Sequence, residues 1–331
     1  MPEHDRMTAT DGLIFAVFLD GKGGGREIDW DGIQSWKPAD GTLWVHITPD
    51  GPRANDWVRA ESGVAPAIAD TLLAPGDHRP RVQAGEANML AILRGVNFNP
   101  GADPEDLIGL HMWIEESLII SVRRRRVRSG QAIRERLAEN TGPRDVGEFL
   151  VMISALLLEP LADLVKQIDE QIDEIEEALV LEAFEDVRGK LRGARQLAIA
   201  LRRYLSPQRD ALSKLAAVKV RWLSDENRAY FREIADSTTR YVEDLDSLRE
   251  RASVIQEELT TQLAERTNKT IYVLTIFSAV LLPAALLTGL FGINVGGMPW
   301  TKSDTGFWIV LGGVPVLAVL VIVFLKMRKM I

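Results

Sequence analysis

The chain of 331 residues contains no cysteine. Disulfides, thiol nucleophiles and cysteine-based zinc ribbons are therefore excluded. Histidine is nearly as scarce, and His4, His46, His78 and His111 show no HxxxH or HExxH spacing of a metal site. A basic excess is missing as well. With 39 basic and 47 acidic side chains the net charge is −8, which argues against a nucleic-acid partner. The opening residues carry Glu3 and Asp5 and no unbroken apolar run, so no secretory leader is expected. No nucleotide loop and no nucleophile–base pair stands out, and an enzyme is the weakest reading.

Long apolar runs are present. Residues 271–291 and 306–325 are stretches of 21 and 20 residues without a charge. At 1.5 Å per residue each reaches about 30 Å, the thickness of a bilayer's hydrocarbon core. Two such helices in succession read as a membrane hairpin rather than as buried core. Arg266 and Lys269 precede the first run, and Lys326, Arg328 and Lys329 follow the second. The loop 292–305 holds only Lys302 and Asp304. The positive-inside bias places both termini in the cytoplasm, with Trp300 and Trp308 near the outer interface. Pro283 lies inside the first run, either as a kink in a moving or pore-lining helix or as a tolerated one without function. Neither run contains Asp, Glu, His, Lys or Arg, so an intramembrane proton relay lacks the groups it would need.

The first half alternates short apolar runs with turns. Residues 13–19, 43–47, 87–96, 107–114 and 118–122 read as strands, and Glu115-Glu116-Ser117 suits a hairpin turn. Residues 56–62 and 65–73 read as short helices, with Pro52 and Pro66 near their starts. The basic run 123–128 lacks interleaved aromatics. A solvated strand end or an acidic partner within the protein suits it better than a nucleic-acid or anionic-lipid contact.

From Asp145 the pattern turns helical. Leu150, Ile153, Leu157, Leu161, Leu164, Ile168, Ile172, Ile175 and Leu179 share one face. Eleven carboxylates against one lysine fill residues 159–186, and six basic residues without an acid fill 188–203. This suits an antiparallel pair of charge-complementary helices, and the carboxylates could also attract cations. Phe231, Ile234, Thr238, Tyr241, Leu245, Leu248, Ala252, Ile255, Leu259 and Gln262 form a heptad seam. Ser224 is the expected N-cap of one helix over residues 225–291, 67 residues or about 100 Å long. Such a seam needs partners: another helix of the chain, other subunits, or both.

At the end of the first apolar run stands Gly292-Ile293-Asn294, followed by Val295-Gly296-Gly297-Met298-Pro299. An α/β domain, a long helix, two terminal spans, this tripeptide and a basic tail, in that order, resemble the CorA metal-ion transporter superfamily over essentially the whole chain. The magnesium branch ordinarily carries Gly-Met-Asn. Ile293 in place of Met resembles the zinc-transporting, ZntB-like branch, while Trp300 stands where the family usually has an acidic residue after Met-Pro.

The resemblance implies a funnel-shaped homopentamer in a bacterial inner membrane, with the first span lining a central pore. Five Asn294 side chains would ring the outer mouth with the Gly292 carbonyls nearby. Ile271, Leu274, Leu282 and Ala285 would face the axis, with Thr288 beside them. The transported ion would be zinc, with magnesium, cobalt or nickel as alternatives, and no covalent cofactor is implied. Zinc prefers Cys, His or carboxylate ligands, and the proposed path has none. Carboxamide and carbonyl oxygens suit outer-sphere handling of a hydrated cation instead.

The expected fold is thus an α+β cytoplasmic domain (1–144), a helical hairpin region (145–224), a stalk helix (225–270) and a transmembrane domain (271–331). A membrane-anchored coiled-coil scaffold would also explain the heptads and the hairpin. It leaves an asparagine-bearing tripeptide at the span's end without a purpose.

Overall fold

The computed structural model describes residues 11–76, 78–97, 99–103, 106–181, 186–293 and 303–328. The chain divides into two compact units, Met1–Val254 and Ile255–Ile331. The elements run β1 (Leu13–Leu19), β2 (Gly25–Ile28), α1 (Trp30–Ser35), β3 (Leu43–Ile47), α2 (Pro52–Asp56) and α3 (Pro66–Leu73). Then come β4 (Arg81–Ala84), β5 (Asn88–Gly95), β6 (Ile108–Glu115), β7 (Leu118–Arg123) and α4 (Arg128–Ala138). The long helices follow: α5 (Val146–Val180), α6 (Val187–Ala217), α7 (Asp225–Phe291) and α8 (Gly306–Met327).

Seven strands form one sheet in the order β2-β1-β3-β7-β6-β5-β4. Only β3 and β7 pair in parallel; the other neighbours are antiparallel. Leu43, Val45 and Ile47 of β3 share a cluster with Leu118, Ile120 and Val122 of β7, covered by Trp30, Trp57 and Leu72. On the opposite face Trp44 meets Phe149 of α5 edge-on at 4.8 Å. With both faces covered, β3 is buried at every position, which is why residues 43–47 read as an unbroken apolar run.

The five expected strands are present, and the turn after Glu115 joins β6 to β7. The helix expected over 56–62 begins earlier. Pro52 takes the first turn of α2, where a missing N–H costs nothing, and a π-helical turn over Trp57–Glu61 follows. Four elements gave no expectation. Strands β2 and β4 are four-residue strands at the sheet's two edges with largely uncovered side chains, α1 is six residues, and α4 begins inside the basic run.

Three arginines of that basic run have partners within the chain. Arg123 Nε donates to His46 Nε2 at 3.0 Å, Arg124 meets Asp50 at 3.2 Å, and Arg125 pairs with Asp106. Asp145 caps α5, accepting from the Glu148 N–H at 2.8 Å. The acidic face of α5 is met by Arg251 of α7. Its guanidinium reaches Asp169 at 2.6 Å, Asp173 at 2.5 Å and Glu176 at 3.0 Å. Arg202 of α6 holds Asp246 of α7 at 2.5 Å.

Ser224 caps α7 as expected, its hydroxyl accepting from the Asn227 N–H at 3.1 Å. The heptad seam is buried at Phe231, Thr238, Leu245, Leu248, Ala252, Ile255 and Leu259. Ala235 and Val242 are buried where the strict repeat has Ile234 and Tyr241, which are half-buried. In Met1–Val254 the helices that Arg251 and Arg202 tie to α7 belong to the same chain, so this part of the seam does not by itself call for a second subunit.

Candidate ion pathway

The second unit holds the apolar end of α7 and the whole of α8, the two helices long and apolar enough to cross a membrane. They line a common apolar cavity of about 350 Å3, formed by Leu287 and Phe291 on one side and Val310, Gly313, Val314 and Leu317 on the other. Half-buried positions on α7 are Ile276, Ala279, Val280, Pro283, Ala284 and Leu287. On α8 they are Val310, Val314, Leu317, Ala318, Val321 and Leu325, again one helical face. Pro283 therefore lies on the side of α7 that α8 shields, and the helix continues through it.

The residues expected to line a path lie elsewhere. Ile271, Leu274 and Leu282 are 55%, 65% and 75% exposed in the single chain, and Ala285, Thr288 and Gly292 are exposed too. At about 100° per residue, this group is centred on the order of 160° away from the half-buried side. One helix thus carries two faces, one toward α8 and one uncovered. Ser278, also exposed, completes the uncovered stripe between Leu274 and Leu282. Its spacing of four from both Leu274 and Leu282 is the signal that could have placed it in that stripe.

At its end α7 tightens. The Gly292 N–H donates to the carbonyls of Thr288 at 3.0 Å and Gly289 at 3.1 Å, and the Ile293 N–H to Leu290 at 3.4 Å. The Thr288 hydroxyl donates back to Ala284 at 3.0 Å, which leaves its oxygen lone pairs toward the surroundings. Carbonyls of a last turn have no further helical N–H to bind, and the helix dipole makes this end negative. Both effects favour a cation beside Gly292. Asn294, like Met298, Pro299 and Trp300, lies outside the described residues. Among the described residues no group of three or more His, Asp or Glu side chains is placed to hold a metal ion.

An α/β unit ahead of two helices of spanning length, one with an uncovered apolar stripe along it, is the arrangement of a membrane protein with a large domain outside the bilayer. The comparisons agree. Residues 39–328 match the family model described as CorA-like Mg2+ transporter protein, and the chain belongs to that family. Its members are transporters and not enzymes. The divalent cation transporter CmaX of Pseudomonas aeruginosa is 36% identical over 311 residues, 92% of this chain and 93% of the relative. The zinc transport protein ZntB of Pectobacterium atrosepticum is also 36% identical over 311 residues, with the same coverage of both chains. The solved structure of full-length CmaX superposes with a TM-score of 0.83 at 35% identity, covering 96% of this chain and 98% of that one.

Proposed function

We propose that the chain is an inner-membrane transporter of hydrated divalent cations, zinc foremost, that works as a homopentamer with both termini in the cytoplasm. The single observation that carries this reading is the uncovered stripe Ile271, Leu274, Leu282, Ala285, Thr288 on the side of α7 turned away from α8. In a ring of five copies that stripe faces the axis, and the tripeptide Gly292-Ile293-Asn294 after the helix's end lies at its outer mouth. Zinc is supported by Ile293 in the tripeptide and by the names that several relatives carry. Five Asn294 carboxamides and the Gly292 carbonyls would accept hydrogen bonds from the ion's water shell.

Below them Leu282, Leu274 and Ile271 form an apolar constriction that closes by losing its water. A potential of 100 mV, negative inside, contributes about 4.6 kcal/mol to inward movement of a divalent ion. Neither apolar run holds Asp, Glu, His, Lys or Arg, so proton coupling through such side chains must act outside them or through the hydrated ion.

Because outer-sphere contact reads hydration and size rather than ligand softness, discrimination among zinc, cadmium, nickel, cobalt and magnesium is modest. Magnesium is the second reading, favoured by the family description. The test is competitive uptake into proteoliposomes at fixed voltage and pH. Zinc entry that rises with inside-negative potential and is inhibited by cobalt, nickel and, more weakly, magnesium supports the reading. Uptake indifferent to voltage, or blind to every other divalent ion, contradicts it.

A further inference from the structure

In the α/β unit, the end of α3, the start of β6 and the end of β7 enclose a cavity of about 290 Å3. Small-molecule sites begin at about 300 Å3, so this recess suits a ligand at the small end of the range. Leu72 and Ile108 give it apolar walls, Gly109 leaves room, and His111, Arg124 and Arg125 supply hydrogen bonds and charge. The ion pathway uses none of these residues.

His111 is fixed at the floor. Its Nδ1 lies 3.1 Å from the Leu72 carbonyl, which can only accept, so Nδ1 carries the proton and Nε2 is left as an acceptor. Burial pushes its pKa down to about 4 against the opposing effect of the Leu72 bond, so the ring is neutral at neutral pH. A Cβ at position 109 would lie 3.7 Å from Nε2, so Gly109 keeps the space before that nitrogen clear while tolerating a side chain there.

Polar groups gather around the ring. The His78 ring stands against it at 5.1 Å with Nε2 buried and unpaired among the described residues, and Nε of Arg81, whose charge reaches His111, is likewise buried and unpaired. Arg124 donates to the Leu73 carbonyl at 2.7 Å, which holds it beside the recess, and Arg124 and Arg125 meet Asp50 and Asp106 in exposed pairs, which are weak and easily exchanged. Three guanidiniums beside the recess disfavour a metal cation and favour an anion. Guanidinium forks match phosphate oxygens in particular. An inorganic phosphate keeps an O–H at neutral pH and meets Nε2 as well as the guanidiniums, yet it offers nothing to Leu72 and Ile108. The ligand must also bring an apolar body, with an O–H or N–H placed for Nε2.

We infer that this recess binds a nucleoside monophosphate, with Arg124 and Arg125 holding the phosphate and His111 Nε2 accepting from a hydroxyl or amino group of the nucleoside. The experiment is calorimetric titration of the full chain, freed of metal by chelation, with each of the four ribonucleoside monophosphates, with inorganic phosphate and with adenosine. Saturable binding of at least one monophosphate is expected, tenfold or more tighter than phosphate or adenosine. Arg124→Gln with Arg125→Gln should weaken it at least tenfold. Gly109→Leu, which fills the recess and removes no charge, should abolish it while the thermal transition and oligomer mass stay unchanged. Phosphate binding as tightly as the best monophosphate overturns the nucleoside half of the inference. No saturable heat with any probe at millimolar concentration, or undiminished binding in Gly109→Leu, overturns the site itself.

Discussion

Two buried histidines tie the stability of the α/β unit to pH. His46 Nε2 accepts from Arg123, so its Nδ1 carries the proton and donates to the Ser121 hydroxyl at 2.7 Å. Burial, reinforced by the charge of Arg123, holds its pKa well below the ordinary histidine range. His111 is lowered to about 4, chiefly by burial. In the unfolded chain both titrate near 6.5. Their stabilising effect is therefore complete above about pH 6.5 and is lost as pH falls toward 4, because only the unfolded chain takes up the protons. For His111 alone the full loss is about 3 kcal/mol, and about 2 kcal/mol is already gone near pH 5. Thermal unfolding of His111→Gln should consequently show a shallower decline between about pH 7.5 and pH 5 than the parent chain. Equal declines would mean that His111 is not held neutral by its site.

At the scale of elements, α7 is secured by a buried stripe and by Arg251. Leu245 is fully buried, and an aspartate there would put an unpaired carboxylate in the seam at a cost of several kcal/mol, or be forced to take up a proton. Leu245→Asp should unfold early or fail to assemble, whereas Arg249→Ala, on an exposed side, should stay within about 0.5 kcal/mol of the parent. Arg251→Met leaves Asp169, Asp173 and Glu176 facing one another. A loss of about 1–2 kcal/mol is expected at low salt, shrinking as salt is raised. A melting temperature unchanged by Arg251→Met at low salt would remove the clasp from the account.

Much of this was legible in sequence where the signal is local. Long periodic stripes such as Leu150 to Leu179, and the apolar run of β3, announce themselves. The edge strands Gly25–Ile28 and Arg81–Ala84 bury little and pattern weakly, so they did not. The choice of Arg251 as partner of the α5 carboxylates is equally invisible, because it joins residues 75 to 82 positions apart.

For the whole molecule the central proposal is a ring of copies whose first spans conduct hydrated cations inward. The basic residues Arg266, Lys269, Lys326, Arg328 and Lys329 flank the two apolar runs on one side. A cysteine placed after Lys326 should consequently resist an impermeant reagent in intact cells and react once the cells are opened. Labelling in intact cells would reverse the orientation. The resemblance named Ile271, Leu274, Leu282, Ala285 and Thr288, and in the fold they share the uncovered side of α7. The spacing could not assign that side to a pore, since an apolar stripe reads alike whether it meets lipid, a neighbouring helix or water. Asn294 separates these possibilities. If it only ends a helix, glycine serves as well, because both tolerate the left-handed conformation that follows many helices. If its carboxamide holds the water shell of the ion, glycine cannot replace it. The decisive measurement is zinc flux into proteoliposomes carrying Asn294→Gly, with oligomer mass determined on the same preparation. Near-complete loss of flux in a correctly assembled protein is the predicted result, and normal flux in that protein would contradict it.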